Sequence, residues 1–152
     1  MALPFLTLPK SPILLHFLIE SAAAASFILN PTSQLPPTLP WSSPETKEIN
    51  LILRSYGGLL LSTNLICLVV VLDSDSTQIV SNRTASLVSL ALATYHIWPI
   101  YRAYSRIIRN HVPETTRGVE GKRPVVLGGP AVHLFVHIIL LVGLVLSGCF
   151  GF

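Results

Sequence analysis

An all-α, polytopic membrane protein built as a four-transmembrane-helix bundle is the fold class this sequence predicts, and three observations predict it. Hydrophobic residues make up 51% of the 152 positions and charged residues only 11%, where soluble domains carry about a quarter charged. The mean hydropathy is +0.64. The apolar residues also gather into stretches near 11–29, 51–72, 84–103 and 125–149, each long enough to cross about 30 Å of hydrocarbon. They form a single membrane domain covering 1–152.

The first stretch, Ser11–Leu29, contains the run Ala22–Ala25, which looks like the small-residue region of a signal-peptide cleavage site. Its only nearby cation, Lys10, comes late, and His16 and Glu20 interrupt the apolar run, so the segment reads as a span that is retained. The connection over 30–50 holds Pro31, Pro36, Pro37, Pro40 and Pro44 and is not helical throughout. Its Trp41 suits an anchor at the membrane interface. After the second span the short segment Asp73–Arg83 leads into the third, which contains Pro99. The sequon Asn82-Arg83-Thr84 abuts that helix too closely for glycosylation. The connection over 104–124 is basic and contains Gly118 and Gly121, which predicts a solvated or headgroup-facing segment. Gly128-Gly129-Pro130 leads into the fourth span, with Pro130 suited to a first helical turn. Gly143 and Gly148 read as close-packing positions. Cys67 and Cys149 lack metal-type spacing and read as unpaired thiols.

With four spans the connections alternate sides. One side receives Lys10 and Arg83; the other receives Lys47, Arg54, Arg102, Arg106, Arg109, Arg117, Lys122 and Arg123. The positive-inside rule places the loops 30–50 and 104–124 in the cytoplasm and both termini in the lumen. The pI near 9.1 therefore reflects membrane-flanking cations, and nucleic acid is not an expected partner.

Ionisable side chains at membrane depth are costly and mark function. At about 1.5 Å per residue, Glu20 lies roughly 15 Å from the cytoplasmic end of its helix, His96 roughly 10 Å, and His133 and His137 roughly 10 and 15 Å. Similar depths on separate helices predict one polar pocket opening toward the cytoplasm, with Glu20, His96, His133 and His137 as catalytic candidates. His16, Arg54, Asn64, Tyr95 and Arg102 are expected to line it and bind substrate. The spacings His16/Glu20 and His133/His137 stack each pair on one helical face. A buried carboxylate beside imidazole can hold or donate a proton, as general acid–base work requires. Pro99 frees the Tyr95 carbonyl and can bend the helix beside His96. Arg102 and Arg106 can snorkel to headgroups or hold an anionic substrate.

Several chemistries are disfavoured. His133-x-x-x-His137 lacks the Glu of a zincin helix, and one membrane carboxylate is too few for a carboxylate-bridged di-iron site. Five histidines are too few for histidine-rich hydroxylase chemistry. No metal and no cofactor are expected, although spacing alone leaves room for a haem between His96 and His133 or His137. A Ser-centred elbow, a phosphate loop and a dinucleotide fingerprint are all missing from the sequence, and no inverted repeat suggests a transporter.

The stretches HFLIESAAAASFILNP (His16–Pro31), RSYGGLLLSTNLICL (Arg54–Leu68), YHIWPIYRAYSRI (Tyr95–Ile107) and GGPAVHLFVH (Gly128–His137) resemble small four-span fungal integral membrane proteins, some encoded with secondary-metabolite genes. Among these the chain is similar to those acting with partner proteins in pyrrocidine-type para-cyclophane formation. The resemblance covers about a third of the chain and includes no diagnostic catalytic motif. It implies an endoplasmic-reticulum protein that helps cyclise, isomerise or oxidise a hydrophobic polyketide-type intermediate, alone or in a complex with other biosynthetic proteins. The layout also resembles the ergosterol-pathway scaffold protein, so a non-catalytic scaffold tethering enzymes through the basic and proline-rich loops is the alternative.

Overall fold

The structure is a computed structural model, and it describes residues 8–35, 39–40, 42–73, 79–110 and 129–151. Among these residues every long element is an α-helix: α1 Ser11–Leu29, α2 Pro44–Leu72, α3 Asn82–Asn110 and α4 Gly129–Phe150, with 3₁₀ turns at Leu8–Lys10 and Pro31–Gln34.

Local signals set the ends. Pro12 occupies the first turn of α1, and the Asn30 N–H closes the last turn on the Ser26 carbonyl; Pro31 then ends the helix. The helix α2 begins seven residues before the expected apolar boundary, because Ser43 is an N-cap whose Oγ accepts from the Thr46 N–H at 3.1 Å and Pro44 fits the first turn. Polar residues 44–50 thus extend the helix beyond its apolar part. The helix α3 is likewise longer than its expected 84–103. Ser81 Oγ accepts from the Thr84 N–H at 3.1 Å at its start, and at the other end it continues unbroken through Pro99 to Asn110. Gly129 opens α4 at φ +64°, a left-handed conformation that glycine adopts without strain. The expected roles of Trp41, Gly118, Gly121, Arg117, Lys122 and Arg123, and of 125–128 as helix, lie outside the described residues.

Three of the helical segments, Leu8–Leu29, Pro44–Leu72 and Gly129–Phe150, are long and apolar enough to cross a membrane. Only 28–33% of their apolar windows is buried inside the protein, so most of that apolar surface points outward. A soluble monomer does not expose apolar surface on this scale, and a lipid bilayer covers it naturally. The helix α3 is as long as α2. Its Tyr95, His96, Trp98 and Pro99, however, leave it less apolar than the other three.

The helices pack chiefly as two pairs, α1 with α2 and α3 with α4, which meet along α1 and α4. Their close approach depends on glycine. A Cβ on Gly57 would stand 2.9 Å from Phe27 Cβ on α1, and one on Gly148 would stand 2.7 Å from Leu90 Cγ on α3. The consecutive helices α2 and α3 make few direct contacts. Their connection is organised by Asp73, whose carboxylate accepts from the Ile79 and Val80 N–H groups at 2.8 and 3.1 Å. Lys10 Nζ donates to the Asp73 carbonyl, and Ser147 Oγ donates to the Pro9 carbonyl at 2.5 Å, tying the start of α1 to this end of the bundle.

Candidate functional site

The buried stripe of α1 is Ile13, His16, Glu20, Ala24 and Phe27, and that of α4 is His137, Leu140, Leu144, Ser147 and Gly148. Both follow the three-and-four spacing of a helix face that packs against neighbours. His16 and Glu20 therefore reach the interior because they occupy the same face as Ile13. His96 joins them from α3 on a face with Ser89 and Ala93. His16, Glu20, His96 and His137 are 1%, 2%, 0% and 4% exposed.

The polar groups form connected chains. Tyr56 Oη donates to Tyr95 Oη at 3.2 Å, and Tyr95 Oη donates to Glu20 Oε2 at 3.0 Å. The second carboxylate oxygen, Oε1, lies 3.7 Å from His137 Nδ1. His137 Nδ1 is 2.8 Å from His96 Nδ1, and His96 Nε2 is 2.9 Å from His16 Nδ1. The His133 ring packs edge-on against His137 with centroids 4.9 Å apart. Four helices thus contribute to one network that runs from Tyr56 on α2 to His133 on α4.

Glu20, His96, His133 and His137, the four catalytic candidates, converge, with His16 and Tyr95 beside them. Asn64 is fully buried and donates to Ser21 Oγ at 3.0 Å, next along α1 from Glu20. Arg54 is exposed on α2, apart from the cluster. Arg102 is also exposed, on α3 beyond His96. Tyr56 is the member of the network that sequence reasoning missed: on α2 it sits among exposed residues, and only the fold brings its hydroxyl to Tyr95.

A cavity of about 240 Å³ adjoins the network between α2 and α3. Its wall is apolar (Leu60, Ile66, Val88, Ala91 and Leu92) except for His16, Thr63 and Tyr95. Ala91 and Ile66 are exposed on the outer surface, so the cavity reaches the apolar exterior of the bundle sideways. It runs from His16 and Tyr95 toward the Asp73 end, whereas Arg54 and Arg102 lie toward the other. Depth along each helix carries no information on which helices leave a gap, so the sideways opening between α2 and α3 is a finding of the fold.

No family model matches the chain, and neither a curated protein nor a solved structure matches it. His16, Glu20 and His96 each offer one ligand atom, all within 4.8 Å of one another, so these three could hold a metal ion. A haem held between His96 and His137 does not fit, because their ring nitrogens touch at 2.8 Å and leave no gap for a porphyrin.

Proposed function

We propose that the protein is a membrane-embedded enzyme, or the catalytic subunit of a membrane complex, that moves a proton on a hydrophobic small molecule during its cyclisation, isomerisation or oxidation. The observation that carries this reading is that His16 and Tyr95 belong both to the apolar cavity wall and to the buried network. An apolar molecule entering sideways from lipid between α2 and α3 meets apolar walls and three polar groups, His16, Tyr95 and Thr63.

Glu20 does not line the cavity. It acts through Tyr95, whose hydroxyl it accepts, as the reservoir from which a proton reaches the substrate or to which one returns. His96 passes a proton between His16 and His137 by exchanging the N–H of one ring for the lone pair of the next. Arg102 lies at the far end, where it can balance charge that develops in the network.

In this reading α3 completes a fourth span, with Ser89, Tyr95 and His96 turned inward. The basic ends of α2 and α3 face the cytoplasm, and both termini face the lumen. The similarity to fungal secondary-metabolism proteins supports an endoplasmic-reticulum location, a polyketide-type substrate and other biosynthetic proteins as partners.

The test is Glu20→Gln in a host that makes the product. The variant is expected to fold and insert as wild type, by gel filtration in detergent and circular dichroism, and to lose about 10²–10⁴ in turnover, the usual contribution of a positioned acid or base. Retained turnover in a well-expressed variant sinks the assignment and leaves the scaffold reading, which predicts release of partners when the loop cations are neutralised.

A further inference from the structure

We infer that His16, Glu20 and His96 bind a divalent first-row transition metal ion inside the bundle. The first argument is geometric. Two ligands bonded to one ion at about 2.0–2.1 Å sit about 2.9–3.4 Å apart when adjacent, and His16 Nδ1 and His96 Nε2 are 2.9 Å apart. All three ligand atoms fall within 4.8 Å of one another.

The second argument is the state of the remaining polar atoms. Ligating histidines and carboxylates are held in place by hydrogen bonds to their non-ligating atoms. Here Glu20 Oε2 is taken by the Tyr95 hydroxyl at 3.0 Å, and His96 Nδ1 by His137 Nδ1 at 2.8 Å. This orients Glu20 Oε1 and His96 Nε2 as ligands and makes Tyr95 and His137 their supports. Glu20 Oε1 and His16 Nε2 are both buried with no hydrogen-bond partner among the described residues. The orphaned carboxylate oxygen is the telling one: an ion bound with His16 Nδ1 and His96 Nε2 satisfies Glu20 Oε1, and leaves His16 Nε2 as it is.

The donor set selects the metal. Two imidazoles and one carboxylate, with no thiolate, suit Fe²⁺, Mn²⁺, Co²⁺, Ni²⁺ or Zn²⁺ and are too nitrogen-rich for Ca²⁺ or Mg²⁺. Three protein ligands leave further coordination positions, and His16 lines the cavity, so a small molecule there comes near the ion. The spacing of ligands in sequence conceals the site, because His96 stands 80 residues from His16. The inference uses the same residues as the proposed proton transfer without depending on it: an ion between His16 and His96 would replace the hydrogen bond that relays a proton between them and leave the Tyr95–Glu20 contact in place.

The experiment is metal analysis of the full chain purified in detergent, followed by Co²⁺ titration read by its visible d–d absorption. The expected result is about one ion per chain, with a Co²⁺ band of nitrogen and oxygen ligation. Glu20→Gln and His96→Gln should lose the ion, and Tyr95→Phe, a supporting residue, should weaken Co²⁺ binding about 10–100-fold. Cys149→Ser serves as a control that keeps the ion.

Wild-type protein that is folded, holds no ion and shows no Co²⁺ band overturns the inference, whatever the variants do. Binding that survives both Glu20→Gln and His96→Gln overturns it as well. The two proposals fail separately. Metal-free wild type whose turnover still needs Glu20 ends the metal centre alone, and a bound ion in a protein whose turnover ignores Glu20 ends the proton-transfer reading alone.

Discussion

Two halves of the same bundle share their helices and their burial and differ in chemistry. Toward the Asp73 end, Ile13, Cys67, Val70, Val71, Ala85, Leu92, Ala93 and Leu144 form an apolar cluster. One to two turns further along the same stripes, His16, Glu20, His96 and His137 occupy equivalent interior positions. Ile13 and Leu144 are 0% exposed, and so is His96. Helix periodicity therefore decides what is inside, and it does so without regard to polarity. The apolar half needs no further explanation, since packing small and branched side chains holds membrane helices together. The polar half places several titratable groups where bilayer helices seldom keep them, and replacing such a cluster with apolar side chains often leaves stability unchanged or improved. Under the proposed function, the contrast gives stability to one half and chemistry to the other.

The strongest way to break that division is His96→Leu, which converts the centre of the polar half into more of the apolar half. The substitution leaves His16 Nδ1 and His137 Nδ1 without their hydrogen-bond partner, so stability in detergent should fall by about 1–3 kcal/mol, while turnover falls by about 10² or more. A larger loss of stability would show that the network holds the bundle together.

Next in size is Gly57→Ala. Its new Cβ meets Ile28 Cγ1 and Phe27 Cβ at 2.9 Å and the Ala24 carbonyl oxygen at 3.1 Å; backbone oxygen and a Cβ have little room to yield. The α1–α2 pair should be destabilised by about 1–3 kcal/mol, measured by chemical unfolding in detergent. An unchanged unfolding midpoint would mean that this pair is not packed as closely as the structure places it.

The smallest effect sharpens the functional half. Ala91→Trp puts a large ring at the outer mouth of the cavity, and should raise KM about tenfold, equivalent to about 1.4 kcal/mol of lost binding, with unfolding unaltered. Unchanged KM would place substrate access elsewhere.

How much of this was legible before folding depends on the kind of signal. The apolar length of α1 matches its observed span because Lys10 precedes it and Asn30-Pro31 follows it. The start of α2 was hidden from hydropathy, although Ser43-Pro44 is a recognisable cap; the polar turns that follow it are helical without being apolar. The shared depth of Glu20, His96 and His137 was readable from counting residues. Their contact was not, because it depends on which faces α1, α3 and α4 turn to one another. Tyr56 and the outward-opening cavity left no trace in the sequence, since both arise from the gap between α2 and α3.

By itself the sequence predicted an all-helical chain with four apolar spans and ionisable residues within its helices, and three of its helices are long and apolar enough to cross a membrane, because length, hydropathy and 3.6-residue periodicity are properties of each segment alone. Only the tertiary structure decided that Tyr95 reaches Glu20, that His16, His96 and His137 meet ring to ring, and that an apolar cavity lies beside them. Those are relations between helices, set by the close glycine contacts within each pair and the loose fit between α2 and α3.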